Sequence, residues 1–336
     1  MWRFATKLNE VLLLNDYGLN PQKSQQFGIP WHNGIDISIG DHDPVYCFVY
    51  SKNLKVSRVN PFLFDEGTVV IINEEEKVEY VFAHLDNLQV KEGDLVNFNT
   101  YLGNQDSKGQ SVQEQLKPFW QHLHFSVREI DDINGQLGRL WPYGRKYKNI
   151  DNGLDGFIDP NKYCLRVLFR VAEAVAQIES GYNVLDKTFS PNAKIAKENN
   201  NPGNLRWSPF AVGTKNGFAV FETLEKGFQA LLWDLEQKAK GNTTWSKLGP
   251  NSTILDFCKI YAPQADNNNP EIYAQNIVKI CGFKSINDKI GDWLLTELDY
   301  VRKYSNINDI EKSYSFGYGI KLLVNFFWNL LFKDKK

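Results

Sequence analysis

The sequence predicts an α+β multidomain protein. An antiparallel β-rich domain is expected over residues 1–160, an all-α domain over 161–305 and an amphipathic C-terminal helix over 306–336. Three observations carry this reading. First, the 336 residues suffice for about two domains with substantial cores. Second, the N-terminal part is rich in short runs of period two, "GIDISI", "TVVIIN", "VEYVFAHL" and "LHFSV", bounded by Gly, Asn and Asp, which is the pattern of strands. Third, the texture changes after "LDGFIDPNKYC". The stretches "LRVLFRVAEAVAQIES", "LEKGFQALLWDLEQKAK", "TILDFCKIYA" and "PEIYAQNIVKICG" all follow a period of 3.6. A β half followed by a helical half reads as two domains.

The totals exclude some classes. The formal charge of −2 gives no basic footprint, so no nucleic-acid partner is expected. Cys47, Cys164, Cys258 and Cys281 are scattered without a CxxC pair, which is neither a disulfide framework nor a structural zinc knuckle. Free core thiols are expected. The opening "MWRFATKLNEVLLLNDYGLN" has only a short apolar run, Val11 to Leu14. It lacks an h-region and a small-residue cleavage site, and it reads as no signal peptide.

All five histidines, His32, His42, His84, His122 and His124, fall in the β-rich half. Alternate side chains of a strand share a face. In "QHLHFSV", His122 and His124 therefore point the same way, with Leu123 and Phe125 in the opposite layer. In "WHNGIDISIG", Asp36 and Ser38 share one face and Ile35, Ile37 and Ile39 the other. His32 lies just ahead, across Gly34. In "VEYVFAHL", the same rule puts Tyr80, Phe82 and His84 on one face. Should these strands be neighbours, a His/Asp set converges. Catalytic zinc takes three protein ligands and leaves a fourth position for water, whose pKa it lowers to about 7. Two further histidines can orient or deprotonate that water. His42 is read as an ordinary polar residue outside this set.

The segments "HNGIDI", "VFAHLDN" and "HLHFSV" resemble the signature of the lysostaphin-type (LytM) zinc endopeptidases, over roughly residues 25–130. "VKEGDLVNFNTYLGN" is similar to the family's hairpin ahead of the HxH strand. The resemblance implies a Zn2+ cofactor held by His32, Asp36 and His124, with His84 and His122 as the catalytic pair beside it. It also implies bacterial peptidoglycan as substrate, cut at its peptide cross-links. Where the family has a short turn before HxH, this chain inserts "GNQDSKGQSVQEQLKPFWQHLHF". A loop of that length near a site bears on substrate access.

In the helical half, Leu168, Val171, Ala172, Val175 and Ile178 form an apolar stripe, and Glu179 stands at its margin. Spacing alone favours a helix-end residue facing solvent. A carboxyl at an apolar margin can instead carry a raised pKa, as a glycosidic general acid requires. "IESGYN", "NNNPGNLRW", "GFAVFETLEKGFQALLWDL" and "YAPQADNNNPEIYAQNIVKICG" resemble a phage lysozyme-like domain related to lytic transglycosylases, over about residues 165–285. That resemblance implies Glu179 as the catalytic acid, with Asn201, Asn204 and Tyr261 lining a sugar groove. No second carboxylate is evident; Glu198 and Asp186 are the options considered. The domain either cuts glycan or only grips it.

In "YGIKLLVNFFWNLLFKDKK", Lys321, Asn325 and Asn329 make one polar stripe on an otherwise apolar segment. Its apolar stretch, Ile320 to Phe332, is shorter than the about 20 residues of a comfortable membrane span. A helix docked on its own domain, an interfacial membrane helix, a true span and an anchor into a larger assembly remain open, so residues 316–336 are the candidate contact with a membrane or virion partner. Taken together, the sequence suggests a bifunctional peptidoglycan-degrading enzyme, a phage lysin or virion-associated enzyme. Before lysis it would reside in the virion or the host cytoplasm. The competing readings are a non-catalytic wall-binding or structural virion protein and a bacterial wall-remodelling enzyme.

Overall fold

The computed structural model describes residues 1–4, 7–18, 32–38, 44–59, 67–106, 122–132, 146–149 and 156–304. The expected C-terminal helix over 306–336, its partner segment 316–336, His42 and most of the insertion before the HxH strand lie outside them. Among the described residues, no helix is long and apolar enough to cross a membrane. The chain divides into two compact units. One comprises 12–47, 52–160 and 302–336, and the other 1–11, 48–51 and 161–301. A single cut after residue 160 does not separate them, because the N-terminal residues and the short segment 48–51 pack with the helices.

The first unit is built on one antiparallel sheet. Its strands are β1 (Leu12–Asn15), β2 (Ile35–Ser38), β4 (Leu54–Val59), β5 (Val69–Asn73), β6 (Val78–Ala83), β8 (Leu95–Val96) and β10 (Leu123–Asp132). They run in the order β1-β2-β10-β6-β5-β4-β8, and β11 (Lys146–Tyr147) and β12 (Phe157–Ile158) also pair with β10. A smaller sheet joins β3 (Pro44–Tyr46), β9 (Tyr101–Gln105) and β7 (Leu85–Asp86). The central strands β5 and β6 are covered on both faces, and every residue of both is buried.

Register fixes which residues share a face, since directly paired residues of antiparallel strands point the same way. Phe125 pairs with Ile35 and Phe82, and Leu123 with Ile37. These apolar side chains form one layer, in which the Phe125 ring lies 5.1 Å from that of Phe82. On the other face His124 pairs with Asp36 and with Ala83. Further along, that face turns apolar, with Val70, Val81 and Phe157 packed together beside Tyr17. Beyond them Arg128 is wholly buried, with Nε 3.1 Å from Glu79 Oε1 and its guanidinium 3.7 Å from the Tyr147 ring. Tyr147 also donates to Glu79 Oε2 at 2.9 Å, so this buried charge pair is hydrogen-bonded as well.

The second unit carries helices α1 (Val167–Ser180), α2 (Lys194–Glu198), α3 (Leu224–Lys240), α4 (Ile254–Tyr261) and α5 (Pro270–Cys281), and most of α6 (Glu297–Tyr304). Their ends follow local chemistry. Thr223 caps α3, Thr253 and Asp256 form a reciprocal capping box on α4, and Asn269 caps α5 ahead of Pro270. Gly181, Gly241 and Gly282 end α1, α3 and α5 in the left-handed conformation. The expectation of an all-α domain needs correction. A hairpin of β13 (Gly213–Lys215) and β14 (Phe218–Val220) follows the "NNPGNL" turn. It turns at Asn216-Gly217, both with positive φ, which is the dipeptide that two-residue hairpins favour. Trp2 and Phe4 are buried in this unit, and Arg170 pairs with Glu297 at 2.9 Å in its interior. All four cysteines are buried and free.

Candidate metal centre and the groove of the helical unit

Three donors meet at the start of β2 and the start of β10. His32 Nε2 lies 3.1 Å from Asp36 Oδ1 and 3.2 Å from His124 Nδ1, and His124 Nδ1 lies 2.9 Å from the same carboxylate oxygen. Among the described residues, these three form the one His/Cys/Asp/Glu group able to share an ion. Gly34 makes the approach possible. A Cβ there would stand 2.4 Å from the Phe125 carbonyl oxygen and 2.8 Å from His124 Nε2.

The donor set fits zinc. A tetrahedral ion with bonds near 2.0–2.1 Å places its ligand atoms about 3.4 Å apart, and the three observed separations are close to that. Protonation points the same way. His32 Nδ1 lies 3.0 Å from the Asp16 carbonyl oxygen, which only accepts, so Nδ1 carries the proton. In the neutral ring, Nε2 then presents a lone pair toward a carboxylate and a second imidazole, an arrangement that calls for a cation between them. Without one, a proton serves. Burial works against a charged His32, but Asp36 and the Asp16 carbonyl outweigh it and raise its pKa. Burial also works against a charged Asp36, yet the charges of His32 and His122 and the hydrogen bonds from His122 and His124 hold its carboxyl well below the usual range. For His124, burial prevails and the pKa falls.

The other two predicted histidines flank this set. His122 Nε2 is 3.3 Å from Asp36 Oδ1, and the His84 ring lies 4.8 Å from that of His122 and 6.0 Å from that of His124. His84 arrives by a route that strand alternation misplaces. Continued regularly, β6 would aim it with Phe82 into the apolar layer, away from His124. Instead β6 stops at Ala83, and His84 adopts φ 64°, which turns its ring to the polar face. The left-handed conformation is uncommon outside glycine and clusters where function demands a direction.

In the helical unit, Glu179, Asn204 and Tyr261 line a groove of about 980 Å³. Tyr273 donates to Glu179 Oε1 at 2.8 Å, and Asn204 Nδ2 donates to Oε2 at 3.1 Å. Burial pushes the Glu179 carboxyl up, tempered by these two hydrogen bonds. Exposed Trp207 and Trp245, 67 % and 66 % accessible, also line the groove. Asn201 corrects the expectation. It is fully buried, and its side chain is used on the backbone of Leu205 and Ala219 rather than on a ligand. Nor do the two carboxylates considered as partners line the groove. Glu198 pairs with Lys215 at the surface at 2.8 Å, and Asp186 with Asn183 at 2.8 Å. Asp234 and Asp266 do line it, and Asp234 is paired with the buried Lys238. Burial lowers the Lys238 pKa against the pull of Asp234. Sequence reasoning missed Tyr273 and Asp234. Each sits one helix away from Glu179, and no local spacing links them to it.

Comparison with known proteins bears on the β-rich unit. No curated protein matches the chain. Among solved structures, the chain is similar to the catalytic domain of lysostaphin from Staphylococcus simulans, with 24 % identity and a TM-score of 0.29, covering 36 % of this chain and 83 % of that one. Lysostaphin at greater length matches with 19 % identity and a TM-score of 0.31 over 46 % of this chain, which spans half of the lysostaphin chain. A zinc-containing peptidase from Vibrio cholerae matches with 23 % identity and a TM-score of 0.27, over 36 % of each chain. The assignment rests on the family match and the donor set rather than on these likenesses. Residues 30–137 match the model of Peptidase family M23, whose members are zinc-dependent, and with His32, Asp36 and His124 in place that segment is identified as an M23-type domain.

Proposed function

We propose that the β-rich unit is a zinc endopeptidase that cuts the peptide cross-links of bacterial peptidoglycan. The observation that carries this is the triangle of His32 Nε2, Asp36 Oδ1 and His124 Nδ1, each pair within 3.2 Å, beside two further imidazoles. Zinc held there supplies Lewis acidity to the scissile carbonyl and to the attacking water. The chain's own groups do the rest. The imidazoles of His84 and His122, side by side on the polar face, take the water's proton and return one to the leaving amine. Either ring in its protonated form also stabilises negative charge on the carbonyl oxygen as it develops. His124→Ala in the full chain should abolish release of free amino groups from purified sacculi, and unchanged release would overturn the peptidase reading.

The helical unit is proposed to act on the glycan strands. A half-buried carboxyl whose pKa is raised by burial, in the lining of a groove that also holds exposed tryptophans, supports this, because a raised pKa is the direction a general acid needs. Glu179 protonates the glycosidic oxygen, and Tyr273 and Asn204 hold its carboxyl in place. Glu179→Gln should remove anhydromuramoyl or reducing-end products while sparing peptide cleavage. Wild type yielding neither product would make the unit a binder. Two wall-directed activities on one chain raise the effective concentration of the second once the first engages, the layout of a phage-type lytic enzyme.

A further inference from the structure

Resting on the zinc-site reading above, we propose that Arg302 is a positioning residue for the metal ligand His32, acting through the Asp16–Tyr17 peptide. Arg302 grips the Asp16 carboxylate with a fork: Nε lies 2.7 Å from Oδ2 and Nη2 lies 2.6 Å from Oδ1. Nη2 also reaches Asp159, at 3.2 Å from Oδ1, which holds the guanidinium from a second side. A bidentate guanidinium–carboxylate pair fixes direction as well as distance.

The direction is passed on through one peptide plane. Asp16 Oδ1 accepts from the Tyr17 backbone N–H at 2.8 Å. The carbonyl of that same peptide unit points the opposite way, as a trans peptide requires, and it accepts from His32 Nδ1 at 3.0 Å. The carboxylate therefore holds one side of the plane while His32 leans on the other. Rotation of the plane would carry the carbonyl away from the ring and free the tautomer that presents Nε2 to Asp36 and His124. Neighbouring contacts brace the arrangement. The Tyr17 hydroxyl donates to the Phe157 carbonyl at 3.0 Å, and Gly18 and His32 exchange two backbone hydrogen bonds of 2.9 Å.

Outer partners that orient a ligating histidine typically change metal affinity by about 10- to 100-fold when removed. Asp16 and Arg302 both lie outside residues 30–137, so the matched family segment does not contain this support. The chain adds it from positions 286 residues apart.

The test uses the full chain and three variants, Arg302→Ala, Arg302→Lys and Asp16→Asn, with His124→Ala as a control. Zinc affinity is measured by competition with a chromophoric chelator, the ligand field by the visible spectrum of the cobalt(II)-loaded protein, and the fold by thermal unfolding of the metal-free chain. Arg302→Ala should weaken zinc about tenfold and alter the cobalt spectrum, while Arg302→Lys, which cannot fork, should recover only part of the loss. Asp16→Asn keeps an acceptor for the Tyr17 N–H but loses the charge, and it should weaken zinc several-fold. The combination of Arg302→Ala with Asp16→Asn should be little worse than Arg302→Ala alone, because both act through one peptide. Wild-type zinc affinity and cobalt spectrum in folded Arg302→Ala or Asp16→Asn would overturn the proposal, as would a lowered unfolding midpoint with unchanged affinity. If His124→Ala also binds zinc as wild type does, the zinc-site reading itself fails.

Discussion

His84 stands in a left-handed backbone conformation, φ 64°, with its ring 4.8 Å from that of His122. The turn reverses the facing that a regular strand would give, and it places a second imidazole, after His122, beside the His32–Asp36–His124 group without making it a member of that group. In the proposed mechanism, ligation and proton transfer are thereby divided between different side chains at one site.

That division can be measured. Asn tolerates the left-handed region well, so His84→Asn should keep the backbone while removing the imidazole. Peptide cleavage of sacculi should fall by about 100- to 10,000-fold, with zinc content by elemental analysis unchanged. Near-wild-type cleavage would show that His84 does not transfer protons.

Gly34 offers a test of the local geometry. A methyl group there would be driven against the Phe125 carbonyl and His124 Nε2. Gly34→Ala should destabilise the β-rich unit by about 1–3 kcal/mol, the usual range for overpacking, and weaken zinc binding at the same time. Chemical denaturation and chelator competition on the same sample would check both effects.

The helical unit should show a pH signature of Glu179. Its folded pKa is raised, chiefly by burial, so the folded state holds a proton that the unfolded chain releases earlier. The stability this contributes is complete below the unfolded value of about 4.3. It is lost as pH rises through the higher folded value. Relative to Glu179→Gln, wild type should therefore lose stability from about pH 4 toward neutrality. Urea unfolding followed by helical circular dichroism over that range would check it. A difference that stays flat, or grows the other way, would contradict the raised pKa.

Trp207 and Trp245 are large apolar side chains left in solvent at the groove. Stacking on a sugar ring would explain what their exposure serves. Trp245→Ala should weaken binding to peptide-free glycan strands by about 1 kcal/mol, roughly fivefold. Co-sedimentation at graded glycan concentrations would read it.

Local pattern revealed much of this architecture, and its failures have a common cause. The run "LEKGFQALLWDLEQKAK" coincides with α3, and "TVVIIN" and "LHFSV" with β5 and the start of β10, because period and capping chemistry are written within the segment itself. Strand spacing alone put Asp36 and His124 on polar faces that pair once the strands are neighbours. The choice of His32, Asp36 and His124 as the ligand set was legible only through the resemblance carried by "HNGIDI" and "HLHFSV", because His32 stands ahead of its strand. His84 was misfaced because a single left-handed residue breaks that rule without leaving a glycine to announce it. Asn201 was taken for a groove residue, whereas the "NNPGNL" turn needs its amide to satisfy buried backbone groups. Tyr273, Asp16 and Arg302 were invisible because their partners lie 94, 16 and 286 residues away, and only the folded chain brings them together.

The central claim is that His32, Asp36 and His124 hold one zinc ion through Nε2, Oδ1 and Nδ1. The most direct measurement is crystallographic anomalous scattering at the zinc absorption edge on the protein grown with zinc. The account predicts a single strong peak within bonding distance of those three atoms and adjacent to His84 and His122. A peak held by other side chains, or none at this position, would contradict it.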